Sequence, residues 1–350
     1  MRHALVAVLI AVLAAVGCSS DDGSDKPQDS APQAAPEAQP APHVGAYVEA
    51  WEDHAPTLVG IDQVQISFGV PQSDGSVLAP DFEPVTRDVI VQHQRENPDS
   101  ELSLAIGGWG TDETHDSILE GFRAGARDPQ GFADEVLKAV QTVQDRLGGF
   151  KITGIDLDWE YPNAAEALGL VDIVQALRDR DMTVSLAVSG DAHDNGNGVF
   201  TVADQLAPLL SHVRVMTYDN VTPFDEGLAA TGNAFDGDLA IEQVHTWKSA
   251  FTSPGQVQMG FPAYGYLFAG ATQADDAFTP DTSGAEIKLA DVPEATIHDH
   301  PTLLTSGAQV SGGWISLASP AIVQETLRRA RGGSEDHDAM PDIGAFVWAA

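Results

Sequence analysis

The run Ile152-Thr-Gly-Ile-Asp-Leu-Asp-Trp-Glu-Tyr-Pro162 sets acids at alternate positions, Asp156, Asp158 and Glu160, with Ile155, Leu157 and Trp159 interleaved. Side chains of a β-strand alternate faces. The three carboxyls would therefore share one face and the apolar groups the other. Packing does not explain such a strand, because a single unpaired buried charge is costly and three would also repel. Clustered carboxyls with shifted pKa values mark proton chemistry. Mutual repulsion raises at least one of them, which makes Glu160 a candidate proton donor near neutral pH. Asp156 and Asp158 could share a proton, and Asp158 could turn toward Glu160. A glycosidic oxygen is the natural acceptor for such an acid. The alternative use of three oxygen ligands is a hard cation. A second metal candidate, His298-Asp299-His300, reads as a solvated loop.

Positioning these groups requires a scaffold with one strand end open to solvent. Short runs rich in Val and Ile predict strands at 45–49, 63–68, 102–106, 152–158, 183–188, 213–217, 257–261 and 343–348. Several are nearly continuous in apolarity, as strands buried on both faces should be. Helical spacing falls at 85–96, 128–147, 164–180, 239–250 and 321–331. Pro129 opens the second of these and Gly148-Gly149 closes it, the expected asymmetry. The pattern predicts an α/β chain folded as a (β/α)8 TIM barrel. An open doubly wound sheet would call for a glycine-rich phosphate loop, and no GxGxxG is present. Residues 264–320 read as an insertion after strand seven, and no eighth outer helix is evident. Catalytic groups in a barrel sit at the C-terminal ends of its strands. There Glu160 would be outermost and Asp156 deepest.

Composition narrows the function further. Acids outnumber bases 52 to 17, a net charge of −35, and only five of the bases are lysine. Without a basic footprint, nucleic-acid binding is excluded. The acid-rich surface suits high salt, which screens self-repulsion. Residues 1–18 read as a signal peptide. Arg2 and His3 precede an apolar run too short to span a bilayer, and Ala15-Val16-Gly17-Cys18 would place a lipidated cysteine at Cys18. The expected location is extracellular, membrane-anchored as a lipoprotein or otherwise freely secreted. Residues 19–43, rich in Ser, Asp, Pro and Ala, read as a disordered tether, and 44–350 as the barrel. Cys18 is the only cysteine, so no intrachain disulfide can form.

Gly154-Ile-Asp-Leu-Asp-Trp-Glu-Tyr-Pro162 resembles the active-site signature of the family-18 glycoside hydrolases, the chitinase family. Further motifs in the same order are similar to that family's: Ala105-Ile-Gly-Gly-Trp109, Met216-Thr-Tyr-Asp219, Gly260-Phe-Pro-Ala-Tyr-Gly265 and Val347-Trp348. The resemblance implies a substrate-assisted retaining mechanism, an exception to the two-carboxylate rule. The substrate's own 2-acetamido oxygen would attack, giving an oxazolinium intermediate. Glu160 would be the acid and base, Asp158 would orient the acetamido group, and Asp156 would be the proton partner. Tyr218 would hydrogen-bond that group and Asp219 would help position it. Trp348 would floor the distorted sugar, with Trp109, Tyr161, Met216, Tyr264 and Tyr47 lining the site. The implied substrate is chitin or N-acetylglucosamine oligosaccharides. An endo-β-N-acetylglucosaminidase and a non-catalytic lectin are the alternatives, although lectin forms typically lose the acid. No cofactor or metal is expected, contact with the membrane is expected only through the lipid anchor, and the chain is expected to be a monomer.

Three positions depart from the pattern. Thr153 stands where an aspartate is usual, Ala105 where a serine commonly contacts the deepest acid, and Tyr266 where an arginine is often found. The first two predict that Asp156 lacks its usual supports. Of the other tryptophans, Trp159 and Trp247 read as packing, while Trp51 and Trp314 fit either the cleft or the core.

Overall fold

The computed structural model describes residues 42–111, 114–224, 234–273, 276–278, 286–333 and 337–348. The signal peptide, Cys18 and the tether as far as residue 41 lie outside them. The first strands are β1 (Val44–Glu49), β2 (Gln63–Pro71), the short β3 (Val77–Leu78) and β4 (Glu101–Gly107). Then come β5 (Gly154–Asp158), β6 (Thr183–Ser189), β7 (His212–Met216) and β8 (Val257–Pro262). After the inserted strands β9 to β13, β14 (Gly344–Trp348) ends the sheet. Every strand of the barrel pairs in parallel with its neighbours, in the order β1, β2, β4, β5, β6, β7, β8, β14, and β14 returns to β1. The result is a closed (β/α)8 TIM barrel, and all eight strands expected from the sequence are present to within three residues at either end.

The outer helices are α1 (Pro84–Glu96), α2 (His115–Arg127), α3 (Pro129–Arg146) and α4 (Glu166–Arg178), followed by the short α5 (Asn197–Thr201) and α6 (Ala203–Leu206). Helices α7 (Gly237–Ala250) and α8 (Pro320–Gly332) complete the set among the described residues. Asp128 ends α2 and caps α3, its carboxylate accepting from the Gly131 amide at 3.1 Å, which satisfies a donor the helix itself cannot. One main apolar cluster fills the layer between helices and strands. Trp159 and Trp247 belong to it. Trp159 stacks on Phe122 at 4.9 Å, and the Trp247 indole donates to the Ser189 carbonyl at 2.9 Å.

The alternation of strands and helices is broken between β1 and β2. Residues 50–62 carry no helix, and the helical spacing of the sequence placed none there. Leu58 and Ile61 are buried there instead, in the cluster that takes in Val44, Ala46 and Val48 of β1. No helix follows β14 among the described residues.

Between β8 and α8 stand β9 (Tyr264–Ala269), β10 (Glu286–Lys288), β11 (Ile297–His300), β12 (Thr305–Val310) and β13 (Gly313–Leu317). They form an antiparallel sheet in the order β10, β9, β13, β12, β11. The triplet His298-Asp299-His300 is thus an exposed edge strand rather than a loop. Asp299 accepts a hydrogen bond from Ser319 at 2.6 Å. Trp314 is buried inside this sheet with Tyr264, Tyr266 and Phe268.

Candidate active site

Strand parity decides which residues enter the barrel. Tyr47 of β1, Ala105 of β4 and Phe346 of β14 form an inner cluster with Phe68, Met216, Tyr218 and Trp348 packed on it. Asp156 and Asp158 of β5 are buried with them. The end of β4 closes tightly on β5. Gly108 donates its amide to the Asp158 carbonyl at 2.9 Å. Gly107 has a φ of 113°, and a Cβ there would lie 2.2 Å from that same carbonyl. Glycine is the residue that tolerates both conditions.

Asp156 is fully buried and surrounded by donors. Its Oδ1 accepts from Ser185 Oγ at 2.5 Å and Arg214 Nη1 at 2.6 Å, and its Oδ2 accepts from the Tyr47 hydroxyl. Arg214, itself buried, continues inward to Gln63 Oε1 at 3.2 Å, which also accepts from Gln258 at 2.8 Å. With its amide turned to satisfy both ends, Gln65 accepts from Arg214 at 2.9 Å. The expectation that Ala105 and Thr153 deprive Asp156 of support is therefore corrected. Support comes from other strands, β1, β6 and β7. No hydrogen bond joins Asp156 to Asp158, and donors from other strands face the Asp156 oxygens.

One layer outward the environment reverses. Asp158 is buried, and its Oδ1 has no partner. Burial raises its carboxyl well above the ordinary range, and the nearby Glu160 and Asp156 add to the rise. Glu160 lies past the end of β5 and keeps some exposure. Burial pushes its carboxyl to about 7; a hydrogen bond from Tyr161 lowers it and Asp219 raises it. Asp219 follows β7 in the left-handed region with a φ of 56°. Tyr264 donates to it at 2.8 Å. Crowding by protein raises its carboxyl while hydrogen bonds from Tyr264 and Tyr266 oppose the rise. Asp219 is exposed by area, so solvent tempers that rise.

Aromatic rings line the mouth. Trp348 meets Tyr47 edge-on at 5.3 Å and stacks with Phe68 at 5.5 Å. Phe68 stacks in turn with Trp51 at 6.2 Å, and Trp51 is 50% exposed. Trp109, 48% exposed, stacks on His115 at 4.0 Å on the loop after β4. Tyr218 meets Tyr264 at 6.3 Å and Phe346 at 6.4 Å. The sequence reading missed Arg214, Ser185 and Phe68. Arg214 was legible, because it lies two residues before Met216 and so shares its face. Among the described residues the group spaced to hold a cation is Glu52, Asp53 and His54, in the loop after β1. Neither the acid ladder nor His298-Asp299-His300 is so arranged. The ladder instead offers a largely buried acid that keeps its proton near neutrality, backed by a buried carboxyl with an open oxygen. That arrangement can protonate a leaving oxygen and then shelter developing positive charge.

Comparison with known proteins agrees in sequence and in fold. The profile of the family described as "Glycosyl hydrolases family 18" matches residues 43–325. Among curated relatives, Chitinase 63 of Streptomyces plicatus is 24% identical over 288 residues, covering 72% of this chain and 43% of that protein. A class V chitinase of Arabidopsis thaliana is 25% identical over 225 residues, covering 59% of this chain and 55% of that one. The chain thus spans about half the length of these relatives or less. Among solved structures, catalytic domain 2 of the Ostrinia furnacalis group II chitinase superposes with a TM-score of 0.68 at 18% identity, covering 88% and 89% of the two chains. A chitinase-like agglutinin of Robinia pseudoacacia superposes with a TM-score of 0.66 at 18% identity, covering 87% and 94%. A chitinase of Cycas revoluta, solved with (GlcNAc)3, superposes with a TM-score of 0.65 at 16% identity, covering 87% and 94%.

Proposed function

Because the chain belongs to glycosyl hydrolase family 18, we propose that it is a chitinase cleaving β-1,4-linked N-acetylglucosamine polymers with retention. The observation that carries this reading is Glu160, an acid raised to about 7 beside the buried, unpartnered oxygen of Asp158. Glu160 protonates the glycosidic oxygen. The substrate's 2-acetamido oxygen attacks the anomeric carbon, because both ladder carboxyls lie on one side and cannot flank the sugar. Asp158 orients that acetamido group and takes its developing charge. Tyr218 and Asp219 position it from β7, and Trp348 floors the sugar. Glu160 then acts as base toward water. Trp109, Tyr161, Met216, Tyr264 and Tyr47 line the site.

The agglutinin among the structural neighbours favours one rival reading, a sugar-binding protein without turnover. Incubation with chitin oligomers followed by mass spectrometry separates the two. Cleavage that is lost in Glu160→Gln, with binding retained, supports the hydrolase. Binding without cleavage in the wild type supports the lectin. Cleavage of N-glycans or peptidoglycan but not chitin oligomers would point to an endo-β-N-acetylglucosaminidase. We further propose that Cys18 carries a lipid anchor and that residues 19–43 tether the barrel outside the cell. Release of the protein from membranes by Cys18→Ser tests this.

A further inference from the structure

A polar cavity of about 240 Å³ lies between the loops that follow β5 and β6, and its lining includes Tyr161, Asn163, Asp194, Asn195 and Asn197. Gly198 lets the two loops meet, since a Cβ there would lie 1.8 Å from the Pro162 carbonyl oxygen. Each wall is held by its own bonds. Asn163 Oδ1 accepts from the Ala165 and Glu166 backbone amides at 2.9 and 3.1 Å, and Glu166 accepts from the Asn163 backbone amide at 2.9 Å. Asp191 Oδ1 accepts from the His193 and Asp194 backbone amides at 2.9 and 3.1 Å. These turns leave the Asn163 amino group and the exposed side chains of Asp194, Asn195 and Asn197 without a hydrogen bond among the described residues. A side-chain amide donates and accepts at once, which matches the hydroxyls of a sugar. The charged group of the lining is Asp194, and no lysine or arginine lines the cavity to neutralise it.

The strand order gives this cavity its place. In the ring β1, β2, β4, β5, β6, β7, β8, β14, the gap between β5 and β6 is half-way round from the gap between β14 and β1. The stacked rings of Trp348, Phe68 and Trp51 stand on that opposite side. Glu160, at the end of β5, is hydrogen-bonded to Tyr161, which lines the cavity. A sugar chain with its acetamido-bearing ring over Trp348 thus passes Glu160 and points its leaving-group sugar at the cavity. The volume falls below the ~300–1,000 Å³ of pockets for drug-sized molecules, so it suits a single ring. We propose that the cavity is the subsite for the leaving-group sugar and that Asp194 selects there a hexosamine with a free amine, which makes partly deacetylated chitin the preferred substrate. The ammonium pairs with Asp194 and the ring hydroxyls bond to Asn163, Asn195 and Asn197. The sugar over Trp348 must keep its acetyl group, whose oxygen is the nucleophile; the leaving sugar has no such duty. This selectivity rests on the hydrolase reading.

The test is digestion of partly deacetylated chitin oligomers by the full chain at mildly acidic pH, with the new chain ends sequenced by mass spectrometry. New reducing ends report the sugar over Trp348, and new non-reducing ends report the sugar in the cavity. The wild type should give non-reducing ends enriched in glucosamine about threefold over the substrate's composition, the size expected of an exposed charge pair. Asp194→Asn should abolish the enrichment while the reducing ends stay N-acetylated. Asn195→Ala combined with Asn197→Ala should lower kcat/KM on the fully acetylated tetramer about tenfold relative to an aryl glycoside of N,N′-diacetylchitobiose, whose leaving group carries no sugar to bond. Non-reducing ends that match the substrate's composition, an enrichment that survives Asp194→Asn, or an unchanged ratio between tetramer and aryl glycoside overturns the proposal. Glucosamine at the new reducing ends, or no product at all, would count against the hydrolase reading instead. The cavity is then decided without turnover, by nuclear magnetic resonance. The Asn195 and Asn197 side-chain amides should shift on titration with the glucosamine disaccharide, with affinity about threefold weaker in Asp194→Asn, and the absence of any shift overturns the assignment.

Discussion

Asp156 and Asp158 are two residues apart on one strand and face the same interior, yet the barrel treats them oppositely. The inner layer surrounds Asp156 with a guanidinium, two hydroxyls and a shell of glutamine amides. The outer layer gives Asp158 aromatic neighbours, a second acid and an oxygen without a donor. Neighbouring strands make the difference, since Ser185 and Arg214 reach only the deeper position. The inner layer therefore resembles a structural ion pair, and the mouth resembles a reactive site held under electrostatic tension. The same kind of substitution should then cost stability below and turnover above.

The largest effect should come from the mouth. Glu160→Gln should lower kcat on chitin oligomers by about 10³-fold, within the range for loss of a general acid, without lowering the melting temperature. A variant within tenfold of wild type would remove Glu160 from its post. Below it, Asp156→Ala strands a buried guanidinium and should cost about 3–5 kcal/mol in urea denaturation. Adding Arg214→Met should recover much of that loss. A cost near zero would erase the contrast between the layers.

The pH responses sharpen the contrast. Activity should fall as pH rises through about 7, where Glu160 loses its proton. Stability should fall in the same direction. Glu160 and Asp158 are raised above their unfolded values, so the folded state holds more protons between roughly pH 4 and 7, and this contribution is lost as pH rises through that window. Asp158→Asn should therefore melt a few degrees above wild type at pH 8 and lose that advantage at pH 4. Equal melting curves at both pH values would show that the outer layer carries no such strain. Tyr264→Phe removes the 2.8 Å bond to Asp219 and should cost about 1 kcal/mol, together with a several-fold loss of kcat. The smallest change in stability is expected for the exposed Trp109→Ala. It should stay within about 0.5 kcal/mol of wild type while raising KM several-fold, and an unchanged KM would remove Trp109 from the sugar path.

The barrel was legible because buried parallel strands read as apolar runs, and the acid ladder because nothing but function explains its period of two. The supports of Asp156 were harder to see. They lie on three strands distant in sequence, and only parity with Met216 hinted that Arg214 turns inward. Helix α2 escaped because Gly121 and Gly125 weaken its helical reading, although both are buried in its packed face. The five-stranded insertion escaped in detail because its strands are short and its edge is polar, as an exposed antiparallel edge should be.

The connection between β1 and β2, where Leu58 and Ile61 stand in for a helix, sets where the barrel opens first. Two side chains cover less of a strand than a helix does, and fewer buried contacts mean a lower free energy of local opening. Amide hydrogens of β1 should exchange with solvent ahead of those of β5 and β6, which lie beneath α4. Since Tyr47 belongs to β1, each such excursion would also loosen one of the three donors on Asp156. The weakest section of the outer wall is thereby tied to the deepest acid of the site.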